Sequence, residues 1–207
     1  MRKRTIALLL GLGLLGLASQ FRLVKISDDD MSPGFRPGDW VLLGPGTARK
    51  GDVVQLDDPA QPSRKLFRRV LATSGDDVRY RTGKLRVNGQ TLRIREMTQQ
   101  DDFAIRSEEN GWLIRRRTIR DRSQGFEGIV QDDHVFLMAD ARDEAVDSRW
   151  WGPLKESTLG RRVWYRWGEA DPWRQGGSWY GRDGPWKVPE PAAPGPNAIP
   201  SKPSGRR

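Results

Sequence analysis

Three acidic residues in a row, Asp28, Asp29 and Asp30, stand just ahead of Met31-Ser32-Pro33, and a basic pair, Arg68-Arg69, follows in a separate apolar run. These types offer little covalent chemistry by themselves. A carboxylate is a poor attacker of an amide. A guanidinium keeps its proton in proteins, at a pKa above about 12. Two carboxylates sharing one site could activate water. On an extended chain Asp28 and Asp30 would face one way and Asp29 the other. Ser32 would share the face of Asp30 on such a chain. Lys65, three residues before Arg68, would lie on the opposite face of a strand, so a Ser32/Lys65 pair needs a slipped register. The single His134, in Asp-Asp-His-Val-Phe, begins a strand. Otherwise the Asp triplet reads as a solvated turn or a cation-coordinating loop. No metal or other cofactor is assigned.

Composition narrows the classes. The chain has 207 residues, 36 Lys+Arg against 27 Asp+Glu, a formal charge of +9 and no Cys. Disulfides, Cys-ligated zinc, iron–sulfur clusters and thiol catalysis are excluded. A basic chain often meets nucleic acid. Here the cations are spread along the chain and an export-type segment precedes them, so no nucleic-acid partner is expected.

The elements that must position these residues are short. Residues 1–4 form a basic end, and 5–23 an apolar segment with seven Leu between Ile6 and Ala18. The segment reads either as a transmembrane anchor or as a signal peptide. Its basic flank predicts that the N-terminus stays in the cytoplasm and the main domain sits on the outer face of the cytoplasmic membrane, in a single pass. Residues 24–167 read as β-rich, with runs at Trp40–Leu43, Val53–Leu56, Leu66–Ala72, Leu85–Val87, Leu92–Ile94, His134–Met138 and Arg162–Arg166. Asn88-Gly89 predicts a hairpin turn. Glu96 to Ile129, with Arg115-Arg116-Arg117, reads as an inserted loop or hairpin layer. Residues 168–184 form a Trp/Gly-rich extension, and 185–207 a Pro-rich tail expected to be disordered. The Trp-rich stretch reads as packing or as contact with a lipid bilayer.

Three segments in order resemble the type I signal peptidase family. The first is Asp28-Asp29-Asp30-Met31-Ser32-Pro33-Gly34, followed by Gly38-Asp39-Trp40-Val41. The second runs from Lys65-Leu66-Phe67-Arg68-Arg69-Val70 to Gly75-Asp76. The third is Ala139-Asp140-Ala141-Arg142, then Asp147-Ser148-Arg149-Trp150-Trp151-Gly152. The resemblance implies a mainly β fold of coiled antiparallel sheets and an activity that cuts exported preproteins after small residues. Its partners would be exported preproteins or membrane-bound segments, the bilayer, and another signal peptidase or assembly machinery.

The resemblance also locates departures. Met31 and Pro33 fix the first frame and stand as groove residues, so the family's nucleophilic Ser falls on Asp30. Arg69-Val70 and Gly75-Asp76 fix the second, so its general-base Lys falls on Arg68. Asp28 takes the oxyanion position, and Ala145 replaces the Ser that orients the lysine. Arg69, Asp140, Arg142, Asp147, Ser148 and Arg149 remain as structural boxes. An Asp30/Arg68 pair would be a charge-assisted bridge, bidentate where the fork fits. The expected protein is a non-catalytic relative that binds exported segments or assists assembly. The alternative is a divergent, active serine-type peptidase.

Overall fold

The structure, a computed structural model, describes residues 19–99, 102–108, 112–117, 124–168 and 178–179. The chain enters through β1 (Arg22–Lys25), β2 (Trp40–Gly44), β3 (Val53–Asp57) and the nine-residue β4 (Lys65–Thr73). Next come β5 (Asp77–Arg81), β6 (Lys84–Val87), β7 (Gln90–Thr91), β8 (Ile94–Gln99), β9 (Phe103–Glu108), β10 (Leu113–Arg117) and β11 (Phe126–Ile129). It closes with β12 (His134–Met138), the one-turn α1 (Ser148–Trp151), β13 (Leu154–Lys155), β14 (Leu159–Trp167) and β15 (Ser178–Trp179).

The strands form three antiparallel sheets. The large one runs β1-β2-β14-β3-β4-β12-β13, with β15 also on β14; the smaller ones run β10-β9-β8 and β11-β5-β6-β7. The fold is therefore mainly β. The sequence pattern explains the placement of strands. β4 is buried from Leu66 to Ala72 on both faces, so it reads as a continuous apolar run interrupted only by Arg68-Arg69, and it lies between β3 and β12. β5 alternates: Val78 and Tyr80 turn inward, Arg79 and Arg81 outward. Asn88 and Gly89 both take positive φ, +52° and +76°, and join β6 to β7 in a two-residue loop.

Three apolar clusters fill the interior. Met31, Phe35, Val41, Leu43 and Val163 pack on one side of the large sheet. Val54, Leu66, Val70, Val135 and Leu137 form a second cluster. Tyr80, Leu85, Trp112, Ile114 and Phe136 join the large sheet to the smaller ones.

Several expectations change. Glu96 to Ile129 contains most of a three-stranded sheet together with β11, and Arg115-Arg116-Arg117 lies inside β10. Its apolar signal is short because the buried apolar residues described there come in two brief runs, Ala104-Ile105 and Trp112-Leu113-Ile114; the arginines of β10 are matched by acids from the 143–144 loop. No strand spans Leu92–Ile94. Leu92 caps the hairpin through its N–H to Leu85 O, and Ile94 starts β8 in another sheet. Arg22 and Leu23, the last residues of the expected apolar span, lie in β1 and pair with Leu43 and Leu42. Residues 1–18 and most of 168–207 lie outside the described residues. Among the described residues no helix is long and apolar enough to cross a membrane. Of the Trp-rich stretch, Trp151, Trp164 and Trp167 are half-buried, while Trp150 is 54 % exposed.

Candidate functional site

The first segment is a turn rather than a strand. Ser32 N–H donates to Asp29 O at 3.0 Å and Phe35 N–H to Met31 O at 3.0 Å. The alternation that would set Ser32 beside Asp30 does not apply, and Ser32 is buried. Met31 and Pro33 do not line a groove either. Met31 is fully buried with Ile26 and Phe35, and Pro33 is buried too, so both hold the turn from beneath. Apolar side chains in a tight turn gain more from the core than from a wet wall.

What the turn presents is Asp30. Arg68, the fourth residue of β4, reaches it with Nη2 on Oδ2 at 2.8 Å. The pair is not bidentate, because the rest of the fork is in use. Nη1 donates to Phe67 O at 2.6 Å, and Nε and Nη2 donate to Val146 O at 3.1 and 2.9 Å. Arg68 is 1 % exposed. A second guanidinium, Arg64, stands 3.7 Å from the same Asp30 oxygen.

The bond to Phe67 O matters for the sheet edge. Val70 gives its N–H to Asp52 O and takes the N–H of Gly51, so its polar groups face β3. Alternation turns those of Phe67 the other way, toward the β12 side. Pairing with β12 ends at Met138↔Arg69. From Lys65 to Phe67 none of the described strands pairs with that edge of β4, and Arg68 caps its Phe67 carbonyl.

Asp28 sits behind the turn. Its Oδ1 accepts the Asp30 N–H at 3.2 Å, so a backbone donor beside Asp30 is already occupied by a carboxylate. Burial raises the Asp28 pKa, and the neighbouring Asp30 charge adds to the rise. Asp29 faces away, to Arg115 Nη1 at 2.5 Å. Arg115 also pairs with Glu144, which straps the turn to the loop after β12. Lys65 is exposed and pairs with Asp57, and His134 opens β12 with Nδ1 against Asp132 O at 2.7 Å. Neither approaches Asp30. Among the described residues no group of His, Cys, Asp and Glu is arranged to hold a metal.

The third segment frames the site. Arg69 and Asp140 form a buried two-bond fork, Nε–Oδ1 2.9 Å and Nη2–Oδ2 2.6 Å, and Arg69 also donates to Gly51 O at 2.7 Å. Asp147 caps α1 through the Arg149 N–H at 3.1 Å. It also accepts from Ala139 N–H at 3.0 Å and grips the Arg149 guanidinium at 2.7 and 2.6 Å. Burial alone would lower the Arg149 pKa, but Asp147 overrides it and the net direction is up. Ser148 Oγ accepts the Leu137 N–H at 3.0 Å. Arg142 pairs with Glu108 at 2.5 Å. Ala141 N–H donates to Asp30 O at 2.9 Å, tying this segment to the turn.

Sequence reasoning missed Val146, whose carbonyl holds Arg68, and also Arg64, Glu108 and Arg115. The run Arg115-Arg116-Arg117 facing Asp143-Glu144 was the available signal: complementary charge runs mark segments that can pair. Nothing local marks a backbone carbonyl.

A pocket of about 240 Å³ opens beside the pair, lined among others by Asp30, Arg64, Arg68, Glu144, Val146 and Trp151. Its walls are charged, and among the described residues its lining includes no Ser, Thr, Lys or His.

Comparison with known proteins fits this arrangement of segments. The chain is 27 % identical over 157 residues to signal peptidase I of Pseudomonas aeruginosa, covering 63 % of this chain and 55 % of that protein. Signal peptidase I of Pseudomonas fluorescens gives 27 % over 157 residues, 61 % and 54 %. The chloroplastic thylakoidal processing peptidase 1 of Arabidopsis thaliana gives 31 % over 104 residues, 49 % and 24 %. The chain spans about half the length of the two bacterial relatives. A signal peptidase I crystal structure from Enterococcus faecalis superposes with a TM-score of 0.40 at 16 % identity, over 56 % of this chain and 96 % of that one. The family described as signal peptidase, peptidase S26, matches residues 2–167, so the chain belongs to that family.

Proposed function

We propose that this protein is a non-catalytic signal-peptidase relative that holds exported or membrane-bound segments. The observation that supports it is the Asp30–Arg68 pair at 2.8 Å, standing where the family resemblance puts a hydroxyl and an amine. Acyl transfer by that route needs a nucleophile that sheds a proton and a base that takes it. A carboxyl group is a poor attacker of an amide, and a guanidinium, which keeps its proton, cannot take one from a nucleophile. Asp28 adds negative charge where an oxyanion would need stabilising.

The pocket and the edge of β4 remain suited to a chain segment. An extended peptide beside Lys65–Phe67 would lie along an edge that none of the described strands covers, with the Phe67 carbonyl already held by Arg68. Asp28, Asp30 and Glu144 favour a segment bearing an amine or a basic side chain. Residues 1–18, with their basic start and apolar run, would anchor the protein in the cytoplasmic membrane with this domain outside.

The test is a binding measurement with the full chain in detergent. A fluorescent peptide spanning the cleavage region of a preprotein is titrated and then recovered for mass analysis. Saturable binding with the peptide intact is the expected result. Peptide recovered in two pieces favours the active-peptidase alternative, and absence of binding overturns the holding role.

A further inference from the structure

We propose that the outer face of the β11-β5-β6-β7 sheet is a docking surface for an anionic lipid bilayer. Directly paired residues on antiparallel strands share a face. Val78, Tyr80 and Leu85 point inward and are buried. The pairs Arg79↔Arg86 and Arg81↔Lys84 therefore both point outward.

Like charges set opposite each other at two successive positions are unfavourable for the sheet alone. The local acids do not cancel them. Arg79 and Arg81 meet Glu127 at 3.5 and 3.2 Å, and Arg79 meets Asp77 at 3.4 Å, all half-exposed or more on the arginine side. Four cations and one carboxylate, Glu127, thus line a shallow depression of about 280 Å³, with Asp77 on the same face beside Arg79. A row of exposed cations bought at the sheet's expense fits an anionic partner.

A second feature of the same face selects a membrane over a soluble polyanion. Ile129 pairs with Asp77, so it also points outward, and it is 68 % exposed. A surface of clustered Lys and Arg with an exposed aliphatic side chain beside them suits phosphate headgroups over an acyl boundary. A soluble acidic ligand has no use for the isoleucine. This surface is separate from the Asp30 pocket and does not depend on what that pocket holds.

The absence of cysteine gives a clean test. Thr91 is exposed and pairs with Arg86, hence lies on this face. Thr91→Cys in the full chain, labelled with an environment-sensitive dye, is reconstituted into phosphatidylcholine vesicles with and without about 30 % phosphatidylglycerol. The expected result is a blue shift in emission only with phosphatidylglycerol, reversed by about 0.5 M NaCl. Arg81→Gln and Lys84→Gln should each weaken the response about fivefold. Glu127→Gln should strengthen it. No shift, or an equal shift in pure phosphatidylcholine, overturns the proposal. So does a shift produced by inorganic phosphate or by a soluble polyglutamate in phosphatidylcholine vesicles, which would mark a site for a soluble anion.

Discussion

Arg68 and Arg69 are neighbours on β4, equally buried, yet they are held in opposite ways. Arg69 meets one carboxylate with two parallel bonds, Nε–Oδ1 2.9 Å and Nη2–Oδ2 2.6 Å, and Asp140 is completely enclosed. Arg68 divides its fork among one oxygen of Asp30 and two backbone carbonyls, beside an open pocket. The first is a sealed structural tie. The second is a divided grip at the mouth of an opening, and the proposed function rests on it.

That contrast sets a scale of effects. Asp140→Ala should be the most damaging change, costing about 3–5 kcal/mol, because it leaves Arg69 charged and without its fork in the core. Asp30→Ala should cost less, about 1–3 kcal/mol, since Arg68 keeps Val146 O and Phe67 O and water can enter from the pocket. Denaturant midpoints of the two variants measure both. Equal losses would remove the distinction between the two arginines.

Much of this was legible in the sequence, for reasons that differ between residues. Asn88-Gly89 announced its turn because two successive positive φ values suit few other dipeptides. β4 was visible because a strand buried on both faces must be apolar nearly throughout. The sheet β8-β9-β10 was hidden because Arg116 is buried by pairing with Asp143 among a run of arginines, and charge then masks the apolar period. At the site, the residue types of Asp30 and Arg68 were readable from the frame of Met31, Pro33 and Arg69-Val70. The contact with Val146 was not, because a carbonyl carries no side-chain signature. Ser32 was misjudged because a tight turn replaced the extended chain that the alternation argument assumed.

A finer comparison lies between Asp28 and Asp30. Burial raises the Asp28 pKa above its ordinary 3.8, so the folded state takes up a proton before the unfolded chain does. Ionised Asp28 therefore lowers stability near neutral pH, and this penalty fades as pH falls through the raised value toward 3.8. Asp28→Asn, which keeps an acceptor for the Asp30 N–H, should raise stability by less than about 1 kcal/mol at pH 7. The gain should vanish in acid. Thermal melts across that range test the sign. A loss at neutral pH would mean that the charge itself supports the turn.

The most direct measurement is cleavage of a preprotein by the native full chain, compared with a buffer blank and with Asp30→Ala and Arg68→Ala. The account requires that native protein leave the preprotein uncut, at the blank rate. Cutting after the leader by native protein, lost in either variant, would show that the Asp30–Arg68 pair performs chemistry and would contradict it.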